Sequence, residues 1–141
     1  MRVGQGDIFL RGVRGLYERE FKAISEYIYY SFILRGKYPY IADLFDSLAI
    51  AEIDALKTIG EILRDEGKDT SVDLRVRLGY SRGKERIDEI IKLELGRIKE
   101  GMRECERLLA SSVNIDQSER ISRAISVKAE ALECLDRMLR S

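Results

Sequence analysis

A lysine in the middle of an apolar stripe limits what this chain can fold into. Ile121, Ala124, Ile125, Ala131, Leu132, Leu135, Met138 and Leu139 recur at three- and four-residue steps, the spacing that gathers side chains on one face of a helix. Lys128 falls on that face. An isolated ammonium is costly to bury, so the lysine must either snorkel to water or meet a carboxylate. The chain offers three carboxylates in the same situation: Glu20, Glu52 and Glu94, each near the middle of its own apolar line.

Those lines predict four helices. Met1 to Asp7 reads as a loose lead-in. The first helix follows, with Val13, Leu16, Tyr17, Ala23, Ile24, Tyr27 and Leu34 inward, and stops near Gly36 because Pro39 cannot continue it. The second starts just after Pro39, with Ile41, Leu44, Phe45, Leu48, Ala55, Leu56, Ile59, Ile62 and Leu63 inward, and ends at Gly67. So short a connection makes these two an antiparallel hairpin.

From Lys68 to Gly83, Val72, Leu74, Val76 and Leu78 alternate with polar residues. No partner strand is on offer, so the segment is expected to be an extended crossover long enough to run the length of a helix pair. A third helix is expected from about Lys84 to Ala110, with Ile87, Ile90, Ile91, Ile98, Met102, Cys105, Leu108 and Leu109 inward. After a turn at Ser111 to Ile115, Asp116 and Glu119 resemble a capping box for the fourth. Gly60, Gly96 and Gly101 are expected to mark close helix approach.

The fold class is therefore all-α: an antiparallel four-helix bundle of two hairpins joined by a long crossover, in a single domain over residues 1–141. In such hairpins the midpoints come level, so Glu20, Glu52, Glu94 and Lys128 are expected to meet in one buried layer. With three acids against one amine, one carboxylate should hold its proton unusually well, or Arg97 should lean in.

Equal numbers of acidic and basic residues, 25 of each, give no global pull toward nucleic acid or an anionic membrane. Arg75, Arg77, Arg82, Lys84 and Arg86 form a local basic patch, but Asp73, Glu85 and Asp88 dilute it and no aromatic platform is interleaved. No apolar run reaches the roughly 20 residues a bilayer span needs, and no signal peptide is evident, so the expected location is the cytoplasm. Histidine is absent, which removes the commonest metal ligand and excludes serine–histidine and cysteine–histidine nucleophiles. Cys105 and Cys134 form no Cys-x-x-Cys pair and read as small core-edge residues too far apart for a disulfide. Heavy charge and few amides, with Asn114, Gln5 and Gln117 the only ones, lean toward a thermophile.

Glu20-Phe-Lys-Ala-Ile-Ser-Glu-Tyr-Ile-Tyr29, Leu48-Ala-Ile-Ala-Glu-Ile-Asp-Ala-Leu56, Glu94 and the segment Arg123 to Leu135 together resemble the ferritin-like superfamily, specifically small rubrerythrin-related bundles. The likeness runs from about Leu16 to Leu139. It implies two metal ions held by a glutamate from each of two helices and a Glu-x-x-His pair from each of the other two. On that pattern Glu20, Glu52 and Glu94 match ligands, whereas Ala55, Lys128 and Ala131 stand where a histidine, a glutamate and a histidine belong. Half of the ligand set is gone, and an ammonium takes the place of the metal pair.

The resemblance so modified implies a non-catalytic bundle with a structural or interaction role and no cofactor, pairing as a homodimer or higher homo-oligomer or with another protein. The alternative is a residual iron or manganese protein, Glu20, Glu52 and Glu94 holding the ion, with iron- or peroxide-related oxidoreductase activity. Tyr27 and Arg97 are expected just outside the cluster. Metal-free redox chemistry through Tyr27, Tyr29 and Tyr30 is a third reading, against the plainer one in which they fill core and interface.

Overall fold

The computed structural model describes residues 5–72, 87–112 and 114–140, and these form four helices: α1 (Gln5–Leu34), α2 (Pro39–Asp65), α3 (Ile87–Ser111) and α4 (Ile115–Arg140). α1 begins at Gln5, inside the expected lead-in. Pro39 opens α2, where its missing N–H costs nothing, and Gly67 closes it at φ 68°. There the Gly67 and Lys68 amides donate to the Arg64 and Leu63 carbonyls at 2.9 and 2.8 Å, the paired bonds of a Schellman stop. The cap of α4 differs from the expected one. Asn114, not Asp116, accepts from the Gln117 amide at 2.8 Å, while Asp116 lies in the first turn and faces Arg120 at 3.4 Å.

Each helix touches two others: α1 meets α2 and α3, and α4 meets α3 and α2. All four neighbour pairs run antiparallel, as their cross-contacts show. Tyr17 lies beside Gly60 and Arg35 reaches Asp43 at 2.9 Å across α1 and α2. Gly12 lies beside Leu108 and Arg19 reaches Glu100 at 3.2 Å across α1 and α3. Asp54 pairs with Arg123 at 3.0 Å and Asp65 with Arg120 at 2.7 Å across α2 and α4. Ser112 bonds Ser118 at 2.6 Å across the α3–α4 turn.

α3 consequently starts at the end where α2 starts, so residues 66–86 join opposite ends of the bundle. Their first stretch runs beside α1, where Arg14 donates to the Asp69 carbonyl at 2.6 Å and Tyr17 to that of Thr70 at 3.0 Å. The alternating Leu74, Val76 and Leu78 and the basic Arg75, Arg77, Arg82, Lys84 and Arg86 lie outside the described residues.

The apolar interior divides in two. One part gathers Tyr27, Tyr30, Phe45, Ile91 and Leu135, the other Phe9, Val13, Ile59, Leu63, Leu108 and Ile121. Along α1, α2 and α4 the changeover falls at Glu20, Glu52 and Lys128, so a polar layer separates two hydrophobic halves. No described helix is long and apolar enough to cross a membrane.

Candidate functional site: two buried charge clusters on one cavity

Glu20, Glu52, Glu94 and Lys128 are all buried, but they do not all meet. The Lys128 ammonium contacts Glu20 Oε1 and lies 3.4 Å from Glu52 Oε2. Opposite it, α3 presents Gly101, where an added Cβ would stand 3.2 Å from Lys128 Cε. Glu94 is seven residues earlier, roughly 10 Å up the helix at 1.5 Å per residue, and therefore misses the layer. It accepts from Arg97 at 3.1 Å and from the Tyr30 hydroxyl.

The second cluster contains a residue that the apolar pattern did not single out. Glu26 is 1% exposed and contacts Arg97, which thus bridges α1 and α3 by serving Glu26 and Glu94 together. Glu26 sits at the edge of the α1 stripe, where spacing alone reads it as solvated. Arg97 was expected just outside the cluster of Glu20, Glu52, Glu94 and Lys128, and it instead joins Glu94 to Glu26.

Burial, and then the bond to Glu52, raises the Glu20 carboxyl well above the usual carboxylate range despite the nearby ammonium. Burial alone would lower the Lys128 pKa, but Glu20 and Glu52 outweigh it and the net shift is upward. The ammonium thus keeps its charge, and Glu20 holds its proton more tightly than an exposed carboxyl does. Burial also pushes Glu94 up to about 7, with the Tyr30 bond opposing it. Tyr27 is raised by burial and by the surrounding acids Glu52, Glu94 and Glu20, which holds its phenol neutral. Burial lowers the Arg97 pKa.

Both clusters border a cavity of about 450 Å³ between α1 and α3. Glu20, Glu26, Tyr27, Glu52, Arg97 and Lys128 line it, and Glu18, Arg19, Lys22 and Glu100 are set around them. Glu20 Oε1 faces the Lys128 ammonium and Glu26 Oε2 the Arg97 guanidinium, whereas Glu26 Oε1 has no hydrogen-bond donor among the described residues.

This donor set does not fit the two-metal centre that the resemblance implies. Ala55 and Ala131 are buried and supply no ligand atom, and Lys128 puts a positive charge against two of the three carboxylates that match ligands. Among the described residues no three His, Cys, Asp or Glu side chains form a group that could hold a metal ion. Of the three interior glycines, Gly60 and Gly101 are sites of close approach, to Tyr17 and Lys128, whereas Gly96 has nothing within 4 Å of an added Cβ and faces solvent. Cys105 is buried and Cys134 exposed, both as free thiols.

No protein-family model, curated protein or solved structure matches this chain.

Proposed function

We propose that this protein is a non-catalytic four-helix bundle of the rubrerythrin-related, ferritin-like kind, in which an amine has replaced the metal pair and which serves as a structural or interaction component. One observation carries the reading: the buried Lys128 nitrogen lies between Glu20 and Glu52, two of the positions that resemble metal ligands. The four-helix order with antiparallel neighbours and α2 and α3 starting at one end also supports it. The alternative, iron or manganese on Glu20, Glu52 and Glu94, would require Lys128 to leave the layer and Glu94 to turn from Arg97.

Metal analysis of anaerobically purified protein tests this reading. Wild type should hold neither iron nor manganese near one equivalent. Ala55→His with Lys128→Glu and Ala131→His should gain iron binding. Stoichiometric metal in wild type, lost in Glu52→Ala, would overturn the proposal, as would a folded triple variant that binds no iron.

The interaction role is homodimer formation through the outer side of the α1–α2 hairpin. Ile28 and Phe32 are 55% and 80% exposed, and Ile50 and Ile53 are 70% and 37% exposed. The Ser31–Asp46 contact sets Ile28 level with Ile50 on the antiparallel helices, with Phe32 and Ile53 on either side of them along the hairpin. Exposed apolar patches of this kind mark interaction sites, and an isologous two-fold interface needs only one such patch. Sedimentation should find a dimer that Phe32→Glu with Ile50→Glu converts to monomer. A monomeric wild type at all accessible concentrations would remove this part of the reading.

A further inference from the structure

The four seams of the bundle are not built alike. The turns after Leu34 and Ser111 are short, so α1 stays with α2 and α3 with α4. Where the two hairpins meet through α2 and α4, the buried side chains Ala55, Ile59, Ile121 and Ala124 belong to one apolar cluster. Small side chains at a contact let helix axes come close. Outside this apolar line, Asp54 pairs with Arg123 at 3.0 Å and Asp65 with Arg120 at 2.7 Å.

The other meeting of the hairpins, α1 with α3, is the loosest of the four seams, and the cavity of about 450 Å³ lies in it. At that height the two helices are tied by polar groups. Arg97 serves Glu26 and Glu94, the Tyr30 hydroxyl donates to Glu94, and Arg19 pairs with Glu100 at 3.2 Å. A polar tie that breaks is replaced by bonds to water, whereas an apolar contact that parts has no such substitute. The Arg97 side chain is already 32% exposed, so its guanidinium can turn to solvent. Glu26 Oε1 lacks a donor among the described residues, and parting the seam lets water supply one. Separation therefore costs less at α1–α3 than at α2–α4.

We infer that the bundle opens like a book, α1 parting from α3 while the α2–α4 seam acts as the spine, with Arg97 as the latch. The two hairpins move as units, so no helix has to unwind. The stretch after α2 travels with the first hairpin, because Arg14 and Tyr17 hold the Asp69 and Thr70 carbonyls. Opening brings water to Glu20, Glu52 and Lys128, the layer that separates the two apolar halves. The device is independent of ancestry and stands whether or not the bundle is ferritin-like.

Cys105 supplies the probe. It is fully buried on α3, one turn from Gly101, and its thiol feels the charges of Lys128 and Glu20. In the full chain carrying Cys134→Ser, Arg19→Cys with Glu100→Cys joined by a short bismaleimide holds α1 to α3. Asp54→Cys with Arg123→Cys joined the same way holds α2 to α4. Both replace exposed ion pairs, whose loss costs little. The α1–α3 bridge should slow labelling of Cys105 by a thiol reagent at least about tenfold, because it removes the local opening and leaves only global unfolding. The α2–α4 bridge should leave the rate near that of the unbridged protein. Arg97→Met should speed labelling in the unbridged and α2–α4-bridged proteins and leave the α1–α3-bridged one unchanged. Equal slowing by the two bridges, no slowing by the α1–α3 bridge, or an Arg97→Met variant that labels at the wild-type rate would each overturn the inference.

Discussion

A Cβ placed on Gly101 of α3 would stand 3.3 Å from the Lys128 nitrogen on α4. The glycine therefore makes the room in which the ammonium reaches Glu20 and Glu52. Gly101→Ala gains about 1 kcal/mol of helix propensity but presses on the lysine's far end. In wild type the two effects should nearly cancel. With Lys128→Ala the obstruction is gone, so Gly101→Ala should then stabilise by about 1 kcal/mol. A double-mutant cycle by urea denaturation reads the difference, and additive effects would mean that the two residues do not share this space.

Removing the amine alone should be severe. Lys128→Ala leaves Glu20 and Glu52 buried without their cation, a loss of about 3–5 kcal/mol for breaking a buried pair. Replacing the triad together, Lys128→Met with Glu20→Leu and Glu52→Leu, removes the desolvation cost along with the attraction. That variant should be neutral or more stable than wild type by about 1–4 kcal/mol. If it were as unstable as Lys128→Ala, the layer would hold the bundle through its charges rather than in spite of them.

Glu94 sets a pH dependence. Its ordinary value is 4.5 and burial pushes it up to about 7, so below 4.5 both folded and unfolded chains hold the proton. Between 4.5 and about 7 the folded chain still holds it while the unfolded chain has lost it. Stability consequently falls as pH rises through that window, by up to about 3 kcal/mol at 1.36 kcal/mol per unit, and levels off above it. Glu20, raised in the same direction, adds to the decline. Comparing Glu94→Gln with wild type isolates the Glu94 part. The variant should be the more stable at pH 8 and indistinguishable near pH 4.5, measured by urea denaturation; an unchanged pH profile would exclude Glu94 as its source.

The bundle was legible because each helix repeats its apolar residues at one period and the breakers Pro39 and Gly67 fall between repeats. Lys128 with Glu20 and Glu52 was legible for the same reason, since a charge on an inward line has to meet an opposite one. Height along the bundle was not. Spacing puts Glu94 on the inner face of α3, but only the packing of Gly101 against Lys128 fixes which turn faces the layer. Glu26 escaped notice because its burial comes from α3 closing over the edge of α1, a contact between helices that periodicity within one helix does not encode. The cap of α4 was misplaced by two residues because Asp116 and Asn114 are both competent caps, and the turn after α3 selects the second.

The two thiols should separate cleanly in reactivity. Cys105 is fully buried on α3, and burial pushes its thiol up to about 12, so almost none is thiolate at neutral pH. Cys134 is exposed on α4. Because the thiolate is the nucleophile, Ellman's reagent should consume one thiol per native chain quickly and the second only in denaturant. Cys134→Ser should leave a native protein that is almost inert to the reagent, and Cys105→Ser one that reacts at the wild-type rate. Access to Cys105 requires the half of the core around Ile121, Leu108 and Phe9 to open. Its labelling rate in Cys134→Ser therefore reports that opening, and Lys128→Ala, by weakening the adjoining layer, should accelerate it. Equal rates in the two backgrounds would show that the charged layer does not couple the halves of the bundle.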